Sequence, residues 1–276
     1  MRNPFSGQKL LLASVCIAMA GVSTRVNSAE SLAFNWISYG ITNRDKPNAV
    51  TGLGTTDSRA QQALFEHYGA NDWGSMYFGL ISTNGHGVGS VVPFGYSGKP
   101  YEMYAVAVPA VSLAKLTGKS FTFGPIADVQ LMSSLQQNSA FHYQAAEFGV
   151  NLAITAPGIA VFDTGLLTHD SWIDFSAFGG GTHERLDKNK WVWRTYIVSK
   201  AIDIGNHRFN FNLQSYINTS GNGPANRDGT KVVLITDYLW NIGGNSDYQI
   251  GLRHWFTRSK SSPSTSVPYL FFKYTL

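Results

Sequence analysis

The segment HRFNFNLQSYIN, from His207 to Asn218, alternates polar and apolar residues with a period of two. Consecutive side chains of an extended strand point to opposite faces, so this period predicts a β-strand with one polar and one apolar face. The polar face would carry Arg208, Asn210, Asn212, Gln214 and Tyr216. The apolar face would carry Phe209, Phe211, Leu213 and Ile217. Such a strand must cover its apolar face, either with the core of a soluble sandwich or with lipid.

Residues 1–29 have the features of a secretory signal peptide. Arg2 and Lys9 make the start basic, and the following apolar run, LLASVCIAMAGV, is shorter than the about 20 residues of a membrane-spanning helix. Small residues follow, so cleavage is expected after Ala20 or Ala29. A short membrane anchor is the alternative interpretation.

The composition of the remaining chain, 30–276, favours one outer-membrane barrel domain over a nucleic-acid-binding protein. Three basic and no acidic residues leave with a leader cut at Ala29, so the formal net charge falls from +4 to +1. A nearly neutral chain has no electrostatic means of attracting a polyanion. Charged residues make up 14% of the sequence, against about 25% in soluble domains, while aromatic residues make up 13%. The one cysteine, Cys16, lies in the leader, so no disulfide is expected.

Extended segments recur along the chain, separated by connections that alternate between long and short. The predicted strands are 32–42, 59–69, 73–83, 100–113, 119–133, 141–154, 159–178, 190–200, 207–218, 230–240, 247–258 and 267–276. No helix is predicted. Long loops at one end and short turns at the other are typical of outer-membrane barrels, whose short turns face the periplasm. An even strand count requires 159–178 to be one strand, and we expect a bulge in it near His169 and Asp170.

These patterns predict an all-β fold, a transmembrane antiparallel up-and-down β-barrel of about 12 strands. Aromatic residues near predicted strand ends, such as Trp191, Trp193, Tyr238 and Trp240, suit the interfacial girdles of such barrels. A soluble all-β sandwich is the alternative.

Two motifs resemble the nucleoside-specific channel-forming (Tsx-like) outer-membrane proteins. PAVSLAKLTGKSFTFGP, from Pro109 to Pro125, looks like that family's Pro-x-Phe-Ser-x-x-Lys-Leu-Thr hairpin running into Phe-Gly-Pro. NDWGSMYFGL is similar to its Asp-Trp-x-Asp-Phe-Tyr-Gly element, with Asp72, Trp73 and Gly79 in matching places, and QIGLRHWF is similar to its penultimate strand. The resemblance implies a monomeric twelve-stranded barrel that passes nucleosides without a cofactor.

The chain departs from the family pattern at charged positions. Where the family has Glu-x-Glu-Pro-Arg before the hairpin, Val106, Val108 and Ala110 stand at the charged places. Ser75 replaces the second acid of the Asp-Trp-x-Asp element, and the chain ends in Leu276 rather than the phenylalanine usual in barrel-assembly signals. The resemblance therefore implies a barrel and a pore, while nucleoside selectivity does not carry over residue by residue.

The polar faces of the predicted strands nominate the residues that line the channel and bind its solute. They are Glu66, Tyr68, Ser75, Tyr77, Glu102, Tyr104, Tyr143, Glu147, Arg194, Tyr196, Arg208, Asn210, Asn212, Gln214, Tyr216, Arg253, Trp255 and Lys273. Tyrosines two residues from carboxylates suit a solute that has a flat ring and hydroxyl groups. The alternative is that these side chains only form hydrogen bonds and ion pairs that hold a narrow barrel together.

No catalytic residue, metal site or cofactor is predicted. The seven histidines lack metal-ligand spacing, and no element marks a nucleophile for an outer-membrane lipase built on His142 or His169. We expect a passive channel for small solutes, nucleosides first, with the lipid bilayer and the barrel-assembly machinery as partners. The alternative is a surface scaffold, or a receptor for phages or bacteriocins that acts through the loop at 84–99.

Overall fold

The computed structural model describes residues 33–43, 59–70, 72–84, 101–138, 144–174, 183–218, 230–259 and 265–275. The predicted signal peptide and residues 85–99 of the predicted loop at 84–99 lie outside these residues. The described part holds the strands β1 (Ala33–Asn43), β2 (Arg59–Ala70), β3 (Gly74–Asn84), β4 (Tyr101–Ser112), β5 (Ile126–Asn138), β6 (Gln144–Ile154), β7 (Ile159–Asp174), β8 (His183–Ser199), β9 (Ile202–Ile204), β10 (His207–Asn218), β11 (Lys231–Ile242), β12 (Asn245–Ser259) and β13 (Thr265–Thr275), and one helix, α1 (Leu113–Thr117).

The twelve long strands form a closed antiparallel barrel. Each long strand pairs with the next along the chain, apart from the short β9, which pairs only with the start of β10. β10 pairs with both β8 and β11, and β13 pairs with β1 in the register Trp36 to Thr275, so the ring closes. Closure removes the unpaired edges of the sheet. The predicted all-β, up-and-down barrel is confirmed.

A belt of exposed apolar side chains covers the outer face of the barrel. Phe148 on β6, Leu252 on β12 and Leu270 on β13 are each more than half exposed, at 57%, 56% and 55%. The other members are Val150, Leu166, Phe209, Phe211, Ile217, Ile250, Phe256 and Phe272. Exposed apolar surface of this extent around a closed barrel is stable only against lipid, so the strands cross a membrane. Among the described residues, no helix has the length and apolarity to cross a membrane.

The described turns all lie at one end of the barrel, which we call the turn end. The β11–β12 turn contains Gly243 and Gly244 with φ of 64° and 76°, the left-handed pair that a tight type I′ hairpin requires. The β4–β5 connection contains α1, whose first turn is capped by Ser112: its Oγ accepts a hydrogen bond from the Lys115 N–H at 3.1 Å. An aromatic stack of His207, Tyr238 and Trp240 marks the outer surface at this end, as at a membrane interface.

Three details of the strand prediction were wrong, and one was right. α1 occupies residues predicted as strand ends and turn, and it shifts the fifth strand from 119–133 to Ile126–Asn138. The eighth strand begins at His183 rather than at 190, so its charged start was taken for a loop. The short β9 was not predicted. The bulge in β7 is confirmed, because the β7–β8 register shifts between His169 and Ser171.

The outer belt allows a direct test of membrane insertion. Leu252 lies at the middle of β12, so Leu252→Arg should lower the free energy of unfolding by about 2–4 kcal/mol, the cost of a cation at the bilayer midplane. Ile242→Arg, at the turn end of β11, should cost no more than about 1 kcal/mol. Urea titration of the protein in lipid vesicles measures both. Equal costs for the two variants would contradict a transmembrane position for Leu252.

Candidate functional site

The inner face of the barrel follows from strand pairing, because residues directly opposite in an antiparallel pair point to the same side of the sheet. The register places sixteen of the predicted lining residues on this face: Glu66, Tyr68, Ser75, Tyr77, Tyr104, Glu147, Arg194, Tyr196, Arg208, Asn210, Asn212, Gln214, Tyr216, Arg253, Trp255 and Lys273. Tyr143 and the side chain of Glu102 lie outside the described residues.

Glu147, on β6, is more deeply buried than Glu66, and its side chain is 0% exposed. Arg194 Nη1, on β8, donates a hydrogen bond to Glu147 Oε2 at 3.1 Å, and the Nδ1 of His169 on β7 lies 3.0 Å from Oε1. The Arg194 guanidinium also lies over the Tyr216 ring, 5.1 Å from its centroid. The Arg194 guanidinium thus stacks on an aromatic face while neutralising the Glu147 carboxylate.

Gln136 connects two parts of the barrel wall that are not neighbours in the sheet. Its Oε1 accepts a hydrogen bond from the Tyr104 hydroxyl at 3.2 Å, while its Nε2 donates to the Tyr216 hydroxyl at 3.3 Å and to Ser134 Oγ at 3.2 Å. β5, which carries Gln136, is separated from β10, which carries Tyr216, by three strands, so the bond between them crosses the lumen. We call Tyr104, Gln136 and Tyr216 the cross-lumen bridge. It narrows the lumen at this level.

Two further tyrosines approach each other across the same lumen. The rings of Tyr77 on β3 and Tyr196 on β8 have centroids 6.2 Å apart. The Tyr77 hydroxyl donates to Glu66 Oε1 at 2.8 Å, and Asn212 Nδ2 donates to the Tyr196 hydroxyl at 3.0 Å. The hydroxyl group of each ring is therefore held by a hydrogen bond, and the two rings lie close together inside the barrel.

A second ion pair lies on the wall formed by β11 and β12. Arg253 binds Asp237 in a bidentate manner, with Nε–Oδ1 and Nη2–Oδ2 distances of 2.7 and 2.8 Å. Its guanidinium carbon also lies over the Phe271 ring, 4.8 Å from the ring centroid. Arg208 instead pairs with the exposed Asp203 of β9, where the Nε–Oδ1 distance is 2.7 Å. Arg208 therefore forms its ion pair at the turn end rather than in the narrow part of the lumen.

The interior is only partly polar, although the sequence predicts that the polar faces of the strands line the channel. Val106, Val108 and Ala110, the residues that stand where the Tsx-like pattern has charges, pack with Met132 and Leu167 into a buried cluster. Trp255 belongs to a second cluster, made of Leu64, Ile81, Ile235, Trp255 and Tyr269. Trp255 therefore packs against other apolar side chains inside the barrel and does not face an open pore.

Several inner polar atoms have no protein hydrogen-bond partner within the described part of the chain: Asn212 Oδ1, Gln249 Oε1, Trp255 Nε1 and Asp128 Oδ1. Buried polar atoms without a partner are costly and uncommon in native proteins. They supply acceptors and one donor that a solute inside the barrel could use. Among the described residues, no group of three or more His, Cys, Asp or Glu side chains could hold a metal ion.

The interior residues that were missed from the sequence include Gln136, Ser134, His169, Asp163 and Asp237. Gln136 and Ser134 lie beyond the predicted end of the fifth strand at 133, so they were not assigned to a face. Asp237 alternates with Tyr238 in a strand that was predicted, so the same period could have found it. His169 lies beside the expected bulge, where a period of two no longer assigns a face.

Comparison with known proteins gives matches to solved structures alone. No family model matches the sequence, and no curated protein matches it. The chain is similar to a KdgM porin in complex with disordered oligogalacturonate, at 6% identity over 89% of this chain and 99% of that one, with a TM-score of 0.40. It is also similar to the NanC porin, at 10% identity over 88% and 99% with a TM-score of 0.44. An outer membrane channel from Pseudomonas putida F1 matches at 7% identity over 92% and 98%, also with a TM-score of 0.44.

Proposed function

We propose that this protein is a bacterial outer-membrane channel for the passive diffusion of small solutes, and that nucleosides or related ring-containing compounds are its preferred solutes. The observation that carries the proposal is a closed barrel with an apolar exterior and a narrow lumen lined by tyrosines and mutually neutralised ion pairs. We place the turn end at the periplasmic side of the membrane, because the short turns of outer-membrane barrels face the periplasm. The barrel functions as a monomer, and the barrel-assembly machinery inserts it into the membrane.

The chemistry of the narrow part favours uncharged, ring-containing solutes. Arg194 is paired with Glu147, and Arg253 with Asp237, so these buried charges present little net charge to a passing ion. The faces of Tyr77, Tyr196 and Tyr216 can stack with a flat heterocycle. Stacking together with a few unused hydrogen-bonding atoms gives weak, reversible binding, which passage through a channel requires.

Single-channel recording in a planar bilayer tests this proposal. The purified protein should give small discrete conductance steps, and adenosine titrated from micromolar to millimolar concentration should block them. Conductance steps that adenosine does not block would mean that the pore is selective for another solute. In a vesicle swelling assay, equal swelling rates for adenosine and a sugar of matched size would contradict the nucleoside preference. They would still support a pore for small solutes.

A second candidate is a non-transport barrel that serves as a surface scaffold or as a receptor for phages or bacteriocins. The cross-lumen bridge and the two internal apolar clusters favour it, because they resemble the packing of a barrel filled for stability. The absence of any conductance step from correctly folded protein would support this candidate over the channel.

A further inference from the structure

A cavity of about 200 Å³ opens at the turn end of the barrel, apart from the cross-lumen bridge. Its wall is built from the ends of β2 and β3, from α1 with its cap, and from β5, β6 and β7. The polar residues that line it include Tyr68, Ser112, Lys115, Asp128, Gln130 and Asp163. The cavity is smaller than the about 300–1,000 Å³ of pockets for drug-sized ligands, so it has room for one small ring and not for an oligomer.

The polar wall of this cavity is held in position by the fold. Ser112 is 1% exposed, and its hydroxyl is fixed by the cap of α1. Gln130 is 8% exposed, and its Oε1 accepts a hydrogen bond from Asn151 Nδ2 at 2.9 Å. These side chains therefore do not need to rearrange to receive a ligand, which lowers the entropic cost of binding.

Hydrogen-bond acceptors predominate in the cavity. Asp128 and Asp163 contribute two carboxylates against the single ammonium group of Lys115. Asp128 Oδ1 is buried and accepts no hydrogen bond from the described part of the chain. A buried carboxylate oxygen in this situation gains most from a ligand that donates hydrogen bonds. An anion would be repelled by the two carboxylates.

We propose that this cavity is a binding subsite for a single neutral ring that carries adjacent hydroxyl groups, at the periplasmic mouth of the channel. The ribose of a nucleoside and a free pentose share this chemistry, since two neighbouring hydroxyls can donate to one carboxylate. The ring of Tyr68 and the side chain of Val161 give the cavity an apolar wall against which the ring can lie. The assignment rests on the proposed channel function and identifies which part of the solute the turn end holds.

Titration calorimetry on the full-length protein in detergent, with adenosine, D-ribose and 2′,3′-dideoxyadenosine as probes, tests the subsite. Adenosine and ribose should both bind, and loss of the two hydroxyls should weaken adenosine binding by about ten-fold or more. Asp128→Asn should weaken adenosine and ribose binding by a similar factor, whereas Asp247→Asn, an exposed carboxylate at the β11–β12 turn, should leave both unchanged. Asp163→Asn provides the same readout if Asp128→Asn does not assemble.

Equal affinity for adenosine and its dideoxy analogue in the unaltered protein would overturn the subsite. A second result would also overturn it: ethanolamine binds and this binding is lost in Asp128→Asn, while ribose does not bind. The cavity would then recognise an amine rather than hydroxyl groups. Ribose binding that is lost in Asp128→Asn, combined with equal swelling rates for adenosine and a matched sugar, would retain the subsite and reject the nucleoside preference.

Discussion

Glu147→Gln should lower the free energy of unfolding of the barrel by about 3–5 kcal/mol, the cost of removing one partner of a buried ion pair. The Glu147 side chain is 0% exposed and accepts from Arg194, whose side chain is 17% exposed. The neutral amide keeps the shape of the carboxylate but leaves the largely buried guanidinium without a counter-charge. Urea titration in lipid vesicles, followed by tryptophan fluorescence, measures the difference.

Two further variants separate the loss of the ion pair from the loss of a charge. Asp203→Asn removes the same charge from the Asp203–Arg208 pair, whose side chains are 51% and 29% exposed, and should cost less than about 1 kcal/mol. Glu147→Gln combined with Arg194→Met removes both charges and should recover part of the lost stability. A double variant less stable than Glu147→Gln alone would mean that Arg194 acts mainly through Tyr216 rather than through the ion pair.

The faces of the strands could be predicted from the sequence because lipid and lumen impose opposite polarities on successive residues. On β12, Leu252 and Phe256 lie outside while Arg253 and Trp255 lie inside, as their alternation predicts. The alternation weakens where the interior is itself apolar. Val106 and Val108 lie inside and Ala107 outside, so no difference in polarity marks the two faces of β4.

Contacts across the lumen could not be predicted in this way. The Gln136–Tyr216 hydrogen bond joins residues 80 positions apart on strands that are not neighbours. Such a contact depends on the curvature and stagger of the closed barrel, which a strand-by-strand pattern does not contain. The fifth strand adds a local reason: the alternating SFTF after α1 is typical of a strand, but the described chain turns there and begins β5 at Ile126.

Gln136→Ala should raise single-channel conductance by a factor of about two or more, because it removes the only side chain of the cross-lumen bridge that reaches both Tyr104 and Tyr216. The same change should weaken block by adenosine, since the two tyrosine rings lose the hydrogen bonds that hold them around the solute path. Current recording in a planar bilayer, with and without adenosine, measures both effects on one channel.

Gln137→Ala is a matched control for this experiment, because the same side chain is removed from the neighbouring position of β5, where alternation turns it to the outer face. Its conductance and adenosine block should equal those of the unaltered protein. An unchanged conductance in Gln136→Ala would mean that ions pass beside the bridge rather than through it, and the limiting constriction would then lie elsewhere, at Tyr77 and Tyr196. A rise in conductance with unchanged block would assign the bridge to pore width and solute binding to the cavity at the turn end.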